Sequence, residues 1–332
     1  MLGRQWWCVL GCWLSMVCVI LSESVWAEPA KTESAKTEPV TVVTSIRPVQ
    51  WIVQALLPPD IDVVALLPPG QSMHEYTLRP ADMVRVQQSS LLVWTGPGME
   101  PWLAQLASRL PSERVLAILP VSETDEHGHS TVLRERVSAA LAADAHFWLD
   151  PMGMVGVADW IASGLAKALP TQTDGIRQRL LGVQQAMQQL DNRANQVLAP
   201  VRQRGFVVYH DSYGRLVSRY RLNQLAAVWH HEALPAGVKE RAALLSVLRS
   251  GQVSCVFHEP EYGEEAVTGW LSSAATGVRV QALDPLGGRV TGSGLDAYTQ
   301  FFETMVHAMA ACLSGANPDG SVNTDGSNNG VR

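Results

Sequence analysis

Cysteine is scarce in this chain of 332 residues. Of five, three (Cys8, Cys12 and Cys18) fall in the first eighteen positions, which leaves Cys255 and Cys312 in the body of the protein and room for one disulfide there. Excess positive charge is missing too: 25 lysines and arginines stand against 31 aspartates and glutamates, a net charge of -6 that recommends no nucleic-acid partner. Long apolar runs are absent except at the start, where the stretch from Trp6 to Leu21 falls short of the roughly 20 residues a membrane-spanning helix needs. No H-E-x-x-H pair occurs, so the helical zinc motif of many metalloproteases is excluded.

The opening run has the three parts of a secretory signal. Arg4 is the only charge before the apolar stretch, and Val25 and Ala27 sit three and one residues before a plausible cut. An uncleaved anchor is the weaker reading. "VLGC" at Val9 to Cys12 resembles a lipid-attachment box only superficially, because the apolar stretch continues past Cys12. The expectation is therefore a signal peptide over residues 1–27. Its removal takes away Arg4 and Glu23, leaves the net charge at -6, and leaves about 305 residues, enough for two lobes with real cores. In an exported protein, an isolated pair such as Cys255 and Cys312 suggests one disulfide.

Residues 28–39, "EPAKTESAKTEP", repeat small polar residues with nothing to bury and read as a flexible tether; residues 315–332, rich in Gly, Asn, Ser and Asp, read as a disordered tail. Between them, short apolar or β-branched runs alternate with helical patterns: "TVVTSI", "DVVALL", "LLVWTG" and "RVLAIL" in the first half, "GFVVYH", "QLAAVW", "VSCVF" and "RVQAL" in the second. Such alternation implies parallel sheets flanked by helices, an α/β fold with one lobe over 40–171 and another over 200–314. Joining them, over 172–199, Ile176, Leu180, Val183, Met187, Leu190, Ala194 and Val197 recur at spacings of four and three, one face of a single long helix. A rod of that length holds two lobes at a nearly constant angle, so the cleft between them is expected to be largely preformed. Ligands in open α/β sheets bind near the carboxyl ends of strands.

The placement of the histidines matters more than their number. His74 lies in the loop after "DVVALL", just before a helix with Pro80 in its first turn; His146 precedes an aromatic-apolar run and the Asp150-Pro151 pair; His210 ends "GFVVYH"; Asp284 follows "RVQAL". Two belong to each half, so a site made from all four would lie between the lobes. Three imidazoles and a carboxylate suit Zn²⁺, which takes nitrogen and oxygen donors at about 2.0 to 2.2 Å in a tetrahedral shell. Copper and nickel would bind such donors as well, and manganese less well. Imidazole binds metal only when neutral, so affinity should fall as the pH drops through about 6.5. Taken one at a time, however, a loop histidine is more often a hydrogen-bonding surface group than a ligand.

Five motifs read together carry more weight: "PGQSMHEYTLRPADMVRVQQSSLLVWTGPGMEPWL", "DAHFWLDP", "FVVYHDSYGRLVSRYRL", "CVFHEPEYGEEAV" and "ALDPLGG". In order and spacing they resemble the metal-receptor proteins of bacterial ABC importers, specifically the zinc-uptake receptors called ZnuA, over roughly residues 40 to 314. The resemblance implies two (β/α) lobes bridged by a rigid helix, with the metal site in the interlobe cleft. It places the ligand histidines on His74, His146 and His210, and the carboxylate of many relatives on Asp284. Manganese and iron receptors of the wider family tend to carry a Glu where this chain has His210, so that position favours zinc. It also implies a disulfide between the "CVF" strand and the last helix, matching Cys255 and Cys312.

Some features depart from the pattern. Met73 replaces the Glu that precedes the first ligand in some zinc receptors, and Glu75 should face elsewhere. The long His- and acid-rich loop of such receptors shrinks to "ETDEHGHSTV", where His127 and His129 form either a secondary zinc-collecting site or a solvated loop. His258 is unusual for its motif and stands at a strand end that could face the cleft; His230 and His231 read as surface residues, and His307 as packed or solvent-facing. The function implied is capture of Zn²⁺ in the periplasm and delivery to an inner-membrane ABC permease by a monomer that is not an enzyme. The rivals are a manganese or iron receptor, a surface adhesin of the same fold, and a zinc hydrolase for which Glu259 is the only nameable general base.

Overall fold

The computed structural model describes residues 40–119, 144–229, 238–271 and 277–315. The expected signal peptide, the tether, the tail beyond Gly315, and His127, His129, His230 and His231 lie outside the described residues. Among the described residues no helix is long and apolar enough to cross a membrane.

Each of the eight runs expected as strands forms one. The first half contains β1 (Thr41–Thr44), α1 (Arg47–Leu56), β2 (Asp62–Ala65), α2 (Pro80–Gln88), β3 (Leu91–Trp94), α3 (Pro101–Ala107) and β4 (Val115–Ala117). After α4 (Pro151–Ala168) and the connecting helix α5 (Thr173–Leu198) come β5 (Gly205–His210), α6 (Gly214–Tyr220), β6 (Asn223–Trp229), α7 (Val238–Arg249), β7 (Val253–His258), α8 (Glu265–Leu271), β8 (Arg279–Ala282) and α9 (Gly294–Ser314). Proline stands in the first or second position of α1 to α4, where its missing N–H costs nothing. The strands form two four-stranded parallel sheets with the same order, β2-β1-β3-β4 and β6-β5-β7-β8. This is the expected two-lobed α/β architecture.

Successive strand residues point to opposite faces, and the two faces meet different cores. Val43, Leu92 and Trp94 pack outward with α2 and α3, and Val207 and Val256 pack outward against Leu244 of α7 in the second half. Val42, Val93, Val208 and Phe257 face a single apolar cluster shared by both lobes, into which α1, α4, α5 and α9 insert. Trp51 of α1 meets Phe301 of α9 with ring centroids 5.6 Å apart. The lobes are thus fused through one apolar core rather than hinged.

Helix α5 has 26 residues and spans about 39 Å. Its buried face includes the expected Ile176, Val183, Met187, Leu190 and Ala194, while Leu180 and Val197 are only half-buried and Leu198 closes the stripe. Asp191 is also buried on this face, which the apolar pattern did not predict. It accepts Arg219 Nε at 2.8 Å, Arg219 Nη2 at 2.6 Å and the Tyr220 hydroxyl at 3.0 Å, pinning α5 to α6. These partners outweigh the desolvation that alone would raise its pKa and hold its carboxyl below the usual range.

The disulfide implied by the resemblance is present: Cys255 on β7 and Cys312 on α9 are bonded with Cα atoms 6.1 Å apart. Closing a loop of 57 residues is worth about 4 kcal/mol in the chain-entropy treatment. Replacing both cysteines by serine should lower the calorimetric melting temperature by roughly 7 °C. An unchanged midpoint would show that the bond adds nothing to a second lobe already anchored by its core.

A second expectation concerns Glu100, fully buried just before α3, whose Oε2 accepts the Thr95 N–H at 3.0 Å. Burial pushes its pKa from 4.5 up to about 7. A carboxyl with a raised folded pKa contributes its stability below the unfolded pKa and loses it as the pH rises through the folded one, here between about pH 4.5 and 7. The decline is on the order of 3 kcal/mol. Glu100→Gln should flatten the dependence of melting temperature on pH across that window; a variant with the wild-type slope would assign the dependence to other groups.

Candidate metal centre

In each sheet the strand order reverses between two central strands, β1 and β3 or β5 and β7. The crevice beyond the carboxyl ends of such strands is where open α/β sheets bind ligands. His210 is the last residue of β5 and Glu259 follows β7, so both stand at that point of the second lobe.

The first lobe supplies the other two histidines from connections. His74 sits in the turn between β2 and α2, where its N–H donates to Ser72 Oγ at 3.3 Å. The preceding Met73 is anchored by its buried side chain and by Trp102 Nε1, which donates to its carbonyl at 2.6 Å. Below this turn Asp82 accepts the Tyr76 hydroxyl at 2.7 Å and Arg79 Nε at 2.9 Å, fixing the entry to α2. His146 precedes a single 3-10 turn, Phe147–Leu149, whose three side chains are fully buried. Trp148 Nε1 donates to Pro285 O and the Tyr298 hydroxyl to Trp148 O, both at 2.8 Å. Asp150 then caps α4 by accepting the Met152 N–H at 3.0 Å.

These elements converge. The ring centroids of His74, His146 and His210 lie 5.4 to 6.0 Å apart, and one nitrogen from each lies within 4.8 Å of the others. Two nitrogens bound to one tetrahedral zinc stand roughly 3.3 Å apart, so the rings need close in only slightly. His146 and His210 are buried, and His146 Nε2 has no hydrogen-bond partner among the described residues. A buried ring nitrogen without a hydrogen-bond partner, close to two other imidazoles, fits a borderline divalent cation such as Zn²⁺.

Carboxylates stand behind two of the rings. Asp144 Oδ1 lies 2.9 Å from His146 Nδ1, and Glu259 Oε2 lies 3.2 Å from His210 Nδ1 while its Oε1 accepts the Ser212 hydroxyl at 2.7 Å. Burial works against ionisation of Asp144, yet hydrogen bonds from His146 and the charge of Arg215 keep its pKa lowered. Glu259 and Glu261 line the histidine cavity together with Trp148 and Tyr262. Burial, then the charges of Glu259 and Asp284, push Glu261 up to about 8.

The structure does not bring Asp284 into this cluster. Its oxygens accept the Leu286 N–H at 3.1 Å and the Gly288 N–H at 2.6 Å, and it lines a neighbouring cavity with Arg47 and Glu261. The turn that carries it depends on Gly287, whose φ is +66° and whose added Cβ would come within 2.5 Å of Trp51. His258 is buried, with Nδ1 3.2 Å from Glu259 O, and stands outside the cluster. Glu75 and His307 are exposed. The supporting Asp144 and the wall residue Glu261 escaped the sequence reading. Their only signals were an acid two residues before His146 in "DAH" and a second acid in "HEPE".

Comparison with known proteins shows the family and the fold. The family model described as "ZnuA: Zinc-uptake complex component A periplasmic" matches residues 42–312. The high-affinity zinc uptake system protein ZnuA of Haemophilus ducreyi is 28% identical over 291 residues, covering 82% of this chain and 93% of the relative. Its Yersinia pestis counterpart is 27% identical over 320 residues, covering 91% and 98%. Among solved structures, a crystal structure of ZnuA superposes with a TM-score of 0.63 at 22% identity, covering 82% of this chain and all but 1% of that one. The periplasmic zinc binding protein TroA of Treponema pallidum gives 0.66 at 20%, covering 84% and 99%, and the Fe(III)-bound YtgA of Chlamydia trachomatis gives 0.65 at 16%, covering 82% and 98%.

The contrast between Asp284 and Glu261 can be measured. Asp284→Asn should change metal affinity less than about threefold while lowering the melting temperature, because its oxygens hold a turn; Glu261→Gln, on the cavity wall, should cost about tenfold. The reverse ranking would restore Asp284 as a direct ligand.

Proposed function

Because the chain belongs to the ZnuA family of periplasmic zinc-uptake components, we propose that it captures Zn²⁺ between its lobes and hands it to an inner-membrane ABC permease. The family is one of metal receptors, which removes the hydrolase reading. The observation that carries the proposal is the convergence of His74, His146 and His210 within 4.8 Å in a half-open cavity. In this reading the three imidazoles bind the ion, and the fourth position falls to water or to a carboxylate of the cavity wall. Residues 1–27 direct export to the periplasm and are removed, and His127 and His129 form a secondary zinc-collecting site. The protein acts as a monomer and has no nucleic-acid partner. Release follows from movement of a ligand loop, since the shared core forbids a wide hinge.

A harder cation is the second reading, favoured by Glu259 and Glu261, whose oxygens suit manganese or iron. Competition titration of the metal-free protein with zinc and manganese against a chromophoric chelator separates the two. One tight zinc site with manganese excluded supports the zinc receptor; comparable manganese binding would sink it. In the same assay His74→Ala and His210→Ala should each lose at least about 100-fold in zinc affinity, more than the usual cost of losing an outer partner. Wild-type affinity in either variant would disprove the ligand assignment.

A further inference from the structure

The side chain of Asp144 belongs to the first lobe by sequence but is shared between the lobes. Its Oδ1 accepts the His146 N–H at 2.9 Å and lies 2.9 Å from His146 Nδ1. Its Oδ2 accepts the backbone N–H of Arg215 at 2.9 Å, and Arg215 Nε donates to its carbonyl at 2.5 Å. Arg215 is the second residue of α6, in the other lobe. Space for this arrangement comes from Gly214: a Cβ there would lie 2.8 Å from Asp144 Oδ2. Gly214 has ordinary helical backbone, so it is the carboxylate and not the backbone that requires the missing side chain. Glu259 supports His210 from within the second lobe alone, so the two supports are not equivalent.

We infer that Asp144 is a positioning residue that presents His146 to the metal and makes that presentation depend on contact between the lobes. An imidazole whose Nδ1–H donates to a carboxylate is held in the tautomer with its lone pair on Nε2, and Nε2 is the buried His146 nitrogen that has no hydrogen-bond partner among the described residues. Free neutral imidazole side chains favour the opposite tautomer, so without the carboxylate His146 would have to change tautomer and reorient before binding. The second oxygen is committed to Arg215. Any displacement of α6 against the first lobe therefore pulls on the group that orients His146, while His210 keeps its own support. This rests on His146 being a zinc ligand.

Three variants of the full mature chain test it, with Zn²⁺ itself as the probe. Asp144→Ala removes both links, and zinc affinity should fall 10- to 100-fold. Asp144→Asn has one acceptor oxygen for three donors, the His146 N–H, His146 Nδ1–H and the Arg215 N–H, and should fall about tenfold. Gly214→Ala leaves every histidine and carboxylate in place, pushes a Cβ against Asp144 Oδ2, and exchanges a helix Gly for a better helix former. It should keep or raise the melting temperature yet weaken zinc binding at least threefold, a pairing that a purely structural role does not produce. Long-range ¹H–¹⁵N correlation spectra of the metal-free protein read the tautomer independently of binding: His146 should carry its proton on Nδ1 in the wild type and shift toward Nε2 in Asp144→Ala or Asp144→Asn. If wild-type protein fails to bind zinc, the receptor reading itself falls. If the wild type binds and all folded variants stay within twofold of it, or if metal-free wild-type His146 is protonated on Nε2, the positioning role is overturned.

Discussion

Three imidazoles from distant parts of a chain can share one ion only if the surfaces carrying them do not slide. The constraint that secures this is the apolar core continuous across both lobes. Core atoms packed at crystal-like density leave no room for one lobe to rotate without opening voids, and each void forfeits dispersion contacts as well as hydrophobic stabilisation. A two-lobed receptor joined by flexible strands could close on its ligand. This one, with α1, α4, α5 and α9 packed into a common centre, arrives at the metal nearly formed.

The polar contacts across the lobes have a different task. Trp148 to Pro285 satisfies a donor that burial would otherwise strand, half-buried Arg47 donates to the carbonyls of Gly288 and Val290, and exposed Arg219 satisfies the buried carboxylate of Asp191. A neutral hydrogen bond contributes only about 1 kcal/mol net, but leaving its partner unsatisfied costs more. Such contacts therefore select one relative placement of the lobes rather than supplying much stability. They are concentrated around the 3-10 turn after His146 and the turn after β8, which are the walls of the cavity.

The donor chemistry then sets what that cavity prefers. Nitrogen from neutral imidazole suits zinc and its copper-like neighbours. Two glutamates, Glu259 and Glu261, stand beside those nitrogens, and burial followed by the charges of Glu259 and Asp284 raises the pKa of Glu261. A family resemblance naming zinc and a structural neighbour that holds Fe(III) are compatible in this light, because the fold supplies a preformed crevice and the side chains supply the selectivity.

The α/β class, the eight strands, the long helix and the three histidines were legible from the sequence. Period-two and period-3.6 patterns are local, and the motifs around His74, His146 and His210 are short and contiguous. What the sequence left open was pairing at a distance. The resemblance points to Asp284 as a fourth ligand, whereas its oxygens accept the N–H groups of Leu286 and Gly288 and it stands apart from the cluster of three histidines. Asp191 sits beside an apolar stripe and finds its guanidinium 28 residues away. Asp144 finds Arg215 across the lobes, 71 residues on. Patterning determines which faces must be buried; only the packed chain decides which polar groups, brought into the same low-dielectric space, have to satisfy one another.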